Sequence, residues 1–305
     1  MNILVTGGSG FLGSHVADAL SDAGHNVTIF DIHASPFLRP DQTMLTGDLL
    51  DQNTTESAVQ GMNAVYHLAG IADIDECKVK PLDTARINIL GTVQLLEACR
   101  KAQVNRVIFA SSVYVYSNFG YFYRCSKQAC ESFIETYAEL YGLKYTNLRY
   151  GSLYGPRADE RNGVYRLLNQ AIKEGKIIYK GTGDELREFI HVQDAAQSSV
   201  KILEPEYENI NIVLTGKEKM RYAELLEMIR EMMGNKIEIE FLPATKKAHY
   251  KVTPYNFNPK LGYKMVNNPY VDMGQGLLQC LSELYGQGHQ EKSSEQGVFV
   301  VDKTF

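Results

Sequence analysis

The chain has 305 residues, of which 44% are hydrophobic and 22% charged, and its net charge is −5 at neutral pH. That length and apolar content bury a large core, in one big domain or two unequal ones, and the negative balance offers no basic face for nucleic acid. No apolar stretch approaches a membrane span, and a strand opening at Asn2 leaves no room for a signal peptide, so neither membrane insertion nor secretion is expected.

The first half alternates strand and helix. Ile3–Thr6 reads as a strand, Leu12–Ala23 as a helix, and the turn between them is Gly7-Gly-Ser-Gly-Phe-Leu-Gly13. A glycine-rich turn at a helix start leaves backbone N–H groups bare at the positive end of the helix dipole, where a pyrophosphate binds. The next strand, Val27–Phe30, ends at Asp31, eighteen residues past Gly13. A carboxylate there accepts from the ribose hydroxyls of NAD and repels the 2′-phosphate of NADP, so NAD is the expected cofactor. Apolar runs follow at Met44–Leu45, Ala64–Leu68, Arg106–Ala110 and Thr146–Leu148, with helical periodicity over Ile89–Ala102 and Ser126–Tyr141. This alternation predicts an α/β fold, a doubly wound parallel sheet of Rossmann type, with ligands gathered outside the carboxyl ends of the strands.

After Pro156 the texture changes. Arg157–Gly163 is polar, Val164–Glu174 is helical, Ile177–Tyr179 and Phe189–Val192 read as short strands, and Asp194–Leu203 reads as a helix. A strand at Ile210–Leu214, an amphipathic helix at Tyr222–Met233 and a strand at Lys236–Phe241 complete the pattern. The expected division is a dinucleotide-binding domain of residues 1–150 plus about 190–215, and a smaller C-terminal α/β substrate lid of about 151–189 and 216–285. Residues 286–305 form a polar tail in which Val298–Val301 could dock as an edge strand.

Chemistry is suggested by Tyr123 and Lys127, whose i, i+4 spacing puts both on one helix face. A cation beside a phenol favours phenolate and lowers its pKa, as a general base requires. Such a pair is common by chance in a chain with 19 tyrosines; its weight comes from Ser111-Ser112, which end the apolar run just upstream. The five cysteines (Cys77, Cys99, Cys125, Cys130 and Cys280) are scattered without a CxxC pair. They read as reduced thiols of a cytoplasmic protein, with neither a disulfide framework nor a metal site.

Taken together, these motifs resemble the extended short-chain dehydrogenases/reductases, the family of nucleotide-sugar epimerases, dehydratases, decarboxylases and reductases. The resemblance spans roughly residues 1–280 and rests on Thr6–Gly13, Gly47-Asp48-Leu49, His67-Leu-Ala-Gly70, Asn88-Ile-Leu-Gly-Thr92, Ser111–Tyr116, Tyr123-Arg-Cys-Ser-Lys127, Leu148–Arg157 and Arg187–Asp194. It implies that Gly7, Gly10, Phe11, Leu12, Gly13, Asp31, Asp48, Leu49, Leu68, Ala69, Gly70, Asn88, Ser111 and Tyr150 serve the cofactor. Asp48 and Leu49 would read the adenine, and Lys127 would hold the nicotinamide ribose. It further implies Tyr123 as base, Ser112 as the hydroxyl steadying the sugar oxygen, and Arg187 and Ser152 as substrate contacts, the arginine on the diphosphate.

Two features depart from the family. Only Ser117–Phe122 separate Tyr116 from Tyr123, where relatives carry a long loop over the sugar, so the site is either more open or covered by another segment. The family's asparagine after the Arg-Tyr pair is Ser152. Val113 and Tyr114 stand where dehydratases of the family carry Asp and Glu, and decarboxylases usually carry Glu at the position of Tyr114; both reactions are disfavoured. The expectation is a nucleotide-sugar 4-epimerase acting through a 4-keto intermediate. The alternatives are a net dehydrogenase or ketoreductase that releases the keto sugar and, from a different class, a non-catalytic NAD-sensing protein. The resemblance also implies a homodimer through a four-helix bundle, with Leu95, Leu96, Ala98, Phe133, Ile134, Tyr137 and Leu140 as contributors; packing of all of them on the sheet is the other possibility.

Overall fold

A computed structural model of the protein describes residues 1–243, 249–252 and 254. The end of the expected substrate lid, the 286–305 tail with its Val298–Val301 segment, and Cys280 lie outside the described residues. Thirteen strands are described: β1 (Asn2–Thr6), β2 (Asn26–Asp31), β3 (Gln42–Thr46), β4 (Ala64–His67), β5 (Arg106–Ser112), β6 (Lys144–Tyr150), β7 (Ser152–Tyr154), β8 (Lys176–Lys180), β9 (Leu186–Arg187), β10 (Phe189–His191), β11 (Ile210–Leu214), β12 (Met220–Arg221) and β13 (Glu238–Leu242). Seven of them form one sheet in the order β11-β6-β5-β4-β1-β2-β3, parallel throughout. The chain reverses its direction of travel between β1 and β4, which makes the crevice at their carboxyl ends the ligand site of this Rossmann-type sheet.

The strands are apolar runs because both faces of the sheet are covered. Successive side chains alternate between two cores. Ile3, Val5, Val27, Ile29, Tyr66, Ile108 and Leu148 face helices Phe11–Asp22 and Val192–Lys201, together with Val16, Leu20 and Ala196. Leu4, Phe30, Val65, Val107 and Phe109 face helices Gly91–Lys101 and Tyr121–Tyr141, with Leu95, Leu96, Cys130 and Ile134. A third core of Leu167, Ala171, Ile177, Leu226, Ile229 and Ile237 binds helices Gly163–Glu174 and Tyr222–Met232 to the parallel pair β8–β13.

Two helices differ from the sequence reading. The helix carrying Tyr123 begins at Tyr121, five residues before Ser126, after Gly120 at φ 96°. Upstream, Pro81–Thr84, a π-helical turn Ala85–Leu90 and Gly91–Lys101 follow one another directly. Leu95, Leu96, Ala98 and Ile134, expected to contribute to a helix bundle, are buried in this chain's own core because they face the sheet. Phe133 and Leu140 stay 42% and 65% exposed.

Candidate active site

The glycine turn is shaped by close backbone approach. A Cβ on Gly13 would lie 2.1 Å from the Gly7 carbonyl oxygen, and one on Gly7, at φ +72°, would lie 2.6 Å from the Ala69 nitrogen. The helix that follows starts after Gly10 with no side-chain cap, so its first N–H groups have no side-chain partner. Asp31 is fixed at the end of β2, accepting from the Ser9 and His33 backbone N–H groups at 3.1 and 3.2 Å. These features fit a dinucleotide: bare donors for a pyrophosphate, no Cβ in its path, and a carboxylate one strand away.

From this turn a groove of about 750 Å³ runs across the carboxyl ends of the sheet. Gly7, Gly10, Phe11, Leu12, Gly13, Asp31, Asp48, Leu49, Leu68, Ala69, Gly70, Ser111, Ser112, Tyr123, Lys127 and Tyr150 all line it. Three expected residues do not. Asn88 is buried as a strut: its side chain accepts from the Ile71 N–H at 2.7 Å and donates to the Ile71 carbonyl and the Ser126 hydroxyl, both at 3.0 Å. Ser152 opens β7, in register with Phe189 of β10. Arg187 is buried, donating to the Leu186 carbonyl at 2.8 Å, with its guanidinium 4.3 Å from the Tyr250 ring centre. Sequence reasoning missed Ser9, Asp73, Asp159, Arg161 and Asn162, which also line the groove. The last three come from the polar loop after Pro156, which carries no motif.

At the reacting end, Lys127 donates to the Ala110 carbonyl at 2.7 Å and sits 5.8 Å from the Tyr123 ring centre. Burial pushes the Lys127 ammonium down. Burial likewise pushes the Tyr123 phenol up to about 12, against the opposing pull of its hydrogen bond with Ser112. The sequence expectation of a lowered phenol is therefore reversed in this structure, because desolvation outweighs the hydrogen bond with Ser112. Beneath them Glu131 accepts from the Ser111 hydroxyl at 2.5 Å and pairs with Arg149 at 2.6 Å. Glu131 stands one helical turn beyond Lys127, so the spacing Tyr123, Lys127, Glu131 was a signal available in the sequence.

On the far side of Tyr123 lies an aromatic wall. The Tyr114 ring packs edge-on to Tyr123 at 6.1 Å and against Tyr250 at 4.7 Å. Its hydroxyl, kept protonated by burial, is hydrogen-bonded to His249 Nδ1 at 2.6 Å. His249 and Tyr250 thus pack on Tyr114, three residues before the short 117–122 connection. Among the described residues no three His, Cys, Asp or Glu side chains are grouped to hold a metal. None of the described helices is long and apolar enough to cross a membrane.

Residues 3–213 match the NAD dependent epimerase/dehydratase family. The chain belongs to that family. Membership makes it an NAD-dependent enzyme and NAD its cofactor. It is 30% identical over 302 residues to a putative UDP-glucose 4-epimerase of Methanocaldococcus jannaschii, covering 92% of this chain and 97% of that one. It is 28% identical to a UDP-N-acetyl-alpha-D-glucosaminuronate decarboxylase of Bacillus cytotoxicus, covering 97% and 94%. Its fold is similar to the crystal structure of the Thermus thermophilus UDP-glucose 4-epimerase complex with NAD, at a TM-score of 0.76 and 27% identity over 86% of this chain and 95% of that one.

Proposed function

We propose that this chain is a nucleotide-sugar 4-epimerase working through a 4-keto intermediate, with UDP-sugars as substrates. The observation that carries the reading is the convergence of Ser112, Tyr123 and Lys127 on the groove that begins at the bare glycine turn. NAD, when bound, supplies the acceptor and donor of hydride. The turn at Gly7–Gly13 binds its pyrophosphate, and Asp31 takes the ribose hydroxyls. Tyr123 removes the proton from the sugar C4 hydroxyl and returns it after the keto sugar has turned, while Ser112 holds the same oxygen. Burial keeps the phenol protonated at rest, so phenolate must be stabilised for the base step; the Ser112 hydroxyl and the Lys127 ammonium are the groups positioned to do so. Arg187 offers the edge of its guanidinium to the diphosphate, its face being covered by Tyr250. Ser152 is assigned the sugar ring from its place between Gly151 and Leu153, which line the groove.

Tyr114 stands where decarboxylases of the family usually carry Glu, which supports epimerisation over decarboxylation. The wall of Tyr114, His249 and Tyr250 supports retention of a keto intermediate, and with it epimerisation over net dehydrogenation. The same reading assigns the lid role to residues 151–189 and 216–285, a cytoplasmic setting to the reduced thiols, and a homodimer to the helix face bearing Phe133 and Leu140. The test is a panel of UDP- and GDP-sugars followed by product analysis and NADH absorbance. Epimerisation gives the C4 epimer with no lasting NADH signal; accumulating NADH would establish the dehydrogenase instead. Tyr123→Phe should abolish turnover and keep NAD binding, and unchanged turnover would leave Tyr123 out of the chemistry.

A further inference from the structure

Behind the groove, on the face that carries the Tyr123 helix, lies a buried polar chain centred on a histidine that the proposed mechanism does not use. His67 ends β4 and is 1% exposed. Its Nδ1 lies 2.8 Å from the Thr6 hydroxyl and its Nε2 lies 2.8 Å from the Thr92 hydroxyl. The partners fix the tautomer. The Thr92 hydroxyl gives its one proton to the Asn88 carbonyl at 2.5 Å, so toward His67 it accepts, and Nε2 carries the hydrogen. Nδ1 is then the acceptor, and the Thr6 hydroxyl donates to it while itself accepting from the Ala69 N–H at 3.4 Å.

The chain continues at both ends into the site. At one end, Thr6 and Ala69 flank the glycine turn: Gly7 approaches Ala69 so closely that a Cβ there would meet its nitrogen at 2.6 Å. At the other, Asn88 sits in the π-helical turn, and its side chain donates to the Ser126 hydroxyl, which donates to the Tyr123 carbonyl at 2.8 Å. Insertions of this kind in a helix commonly mark functional positions. We infer that His67 is a positioning residue: its two nitrogens set the cofactor turn, on β1 and β4, in register with the helix that presents Tyr123 and Lys127. It touches neither cofactor nor substrate. Burial, with the Lys127 charge beside it, holds the imidazole down at about 3, so the link stays neutral throughout the working range.

Because the two nitrogens serve different ends, they can be replaced separately. A glutamine keeps a donor where Nε2 stood and loses the acceptor for Thr6; an asparagine keeps the acceptor and loses the donor to Thr92. The experiment measures NAD dissociation constants and UDP-sugar turnover for His67→Gln, His67→Asn and His67→Ala in the full chain. For His67→Gln we expect NAD affinity to fall about tenfold with kcat within about threefold of wild type, one tenfold being about 1.4 kcal/mol, the scale of one hydrogen bond. For His67→Asn we expect the reverse: kcat down about tenfold and NAD affinity little changed. His67→Ala should lose both, and if it fails to fold, the Gln and Asn pair decides. Equal losses in both parameters for Gln and Asn would show general loosening and overturn the assignment, as would no change in either. The turnover arm rests on the proposed epimerase activity. Wild-type protein inactive on every sugar would refute that activity, while the unequal effects of Gln and Asn on NAD affinity would still decide the role of His67.

Discussion

Substituting Gly13 by alanine puts the backbone geometry of the cofactor turn to the test. The added Cβ would stand 2.1 Å from the Gly7 oxygen, 2.8 Å from the Gly7 carbonyl carbon and 2.9 Å from Gly8 Cα, all of them backbone. Carbon and oxygen normally keep at least about 3.3 Å apart, so roughly 1 Å must be found by moving the turn against its helix. A displacement of about 1 Å in a positioned site costs on the order of 100-fold, or about 2.7 kcal/mol. Overpacking adds about 1–3 kcal/mol to the destabilisation of the fold. NAD titration and thermal unfolding of Gly13→Ala should therefore show affinity reduced about 100-fold and a Tm lower by roughly 2–10 °C. Gly24→Ala is the control. Gly24, unlike Gly13, has a positive φ, +80°, and nothing lies within 4 Å of its Cβ position. That variant should carry only the left-handed strain of about 1–2 kcal/mol, with NAD affinity unchanged. A folded Gly13→Ala protein that binds NAD as wild type does would refute the argument that this close approach shapes the pyrophosphate site.

Asp31→Asn removes the charge expected to repel a 2′-phosphate, so the preference for NAD over NADP should shrink at least about tenfold in parallel titrations; an unchanged ratio would remove Asp31 from cofactor discrimination. The pH dependence of stability has two signed windows. His67 is held near 3 when folded against 6.5 otherwise, so its contribution is full above pH 6.5 and is lost as pH falls toward 3. Tyr123 is raised to about 12 from 10, so its contribution is full below pH 10 and is lost as pH rises toward 12. Urea midpoints of His67→Gln and Tyr123→Phe should each be flatter than wild type in that residue's own window, and curves parallel to wild type would contradict the assignments. Replacing both Phe133 and Leu140 by glutamate should leave a monomer in sedimentation experiments if the exposed helix face pairs with its copy; a persisting dimer would place the interface elsewhere.

The inner strands of the sheet were legible because they are buried apolar runs with turn residues at their ends; at one edge Ile210–Leu214, with no buried residue, was still read residue for residue from its apolar content. The start of the helix carrying Tyr123 was not, since Gly120 takes the left-handed conformation and the helix has no Ser, Thr, Asp or Asn side-chain cap to announce it. Gln52–Ala58 and Ile74–Val79, of 7 and 6 residues, are too short to show a period. The glycines, Asp31, Ser112, Tyr123 and Lys127, which all line the groove, could be picked out because their spacing around one turn, at a strand end or along one helix is itself a pattern. Glu131 was equally readable and was passed over. The Tyr114–His249 contact and the His67 chain join residues 135, 61 and 25 positions apart, and only the fold brings those together.

The alternation of strand side chains between two cores has a consequence for how this enzyme ages under mutation. The helix that follows the cofactor turn rests on the core of Val16, Leu20 and Ala196, whereas the helix bearing the phenol rests on that of Leu96 and Ile134, across the full thickness of the sheet. Under the proposed roles, damage to one core would loosen grip on the dinucleotide, and damage to the other would blur the aim of Tyr123. Affinity and turnover can therefore wear independently, and a lineage can retune one while the other stands still.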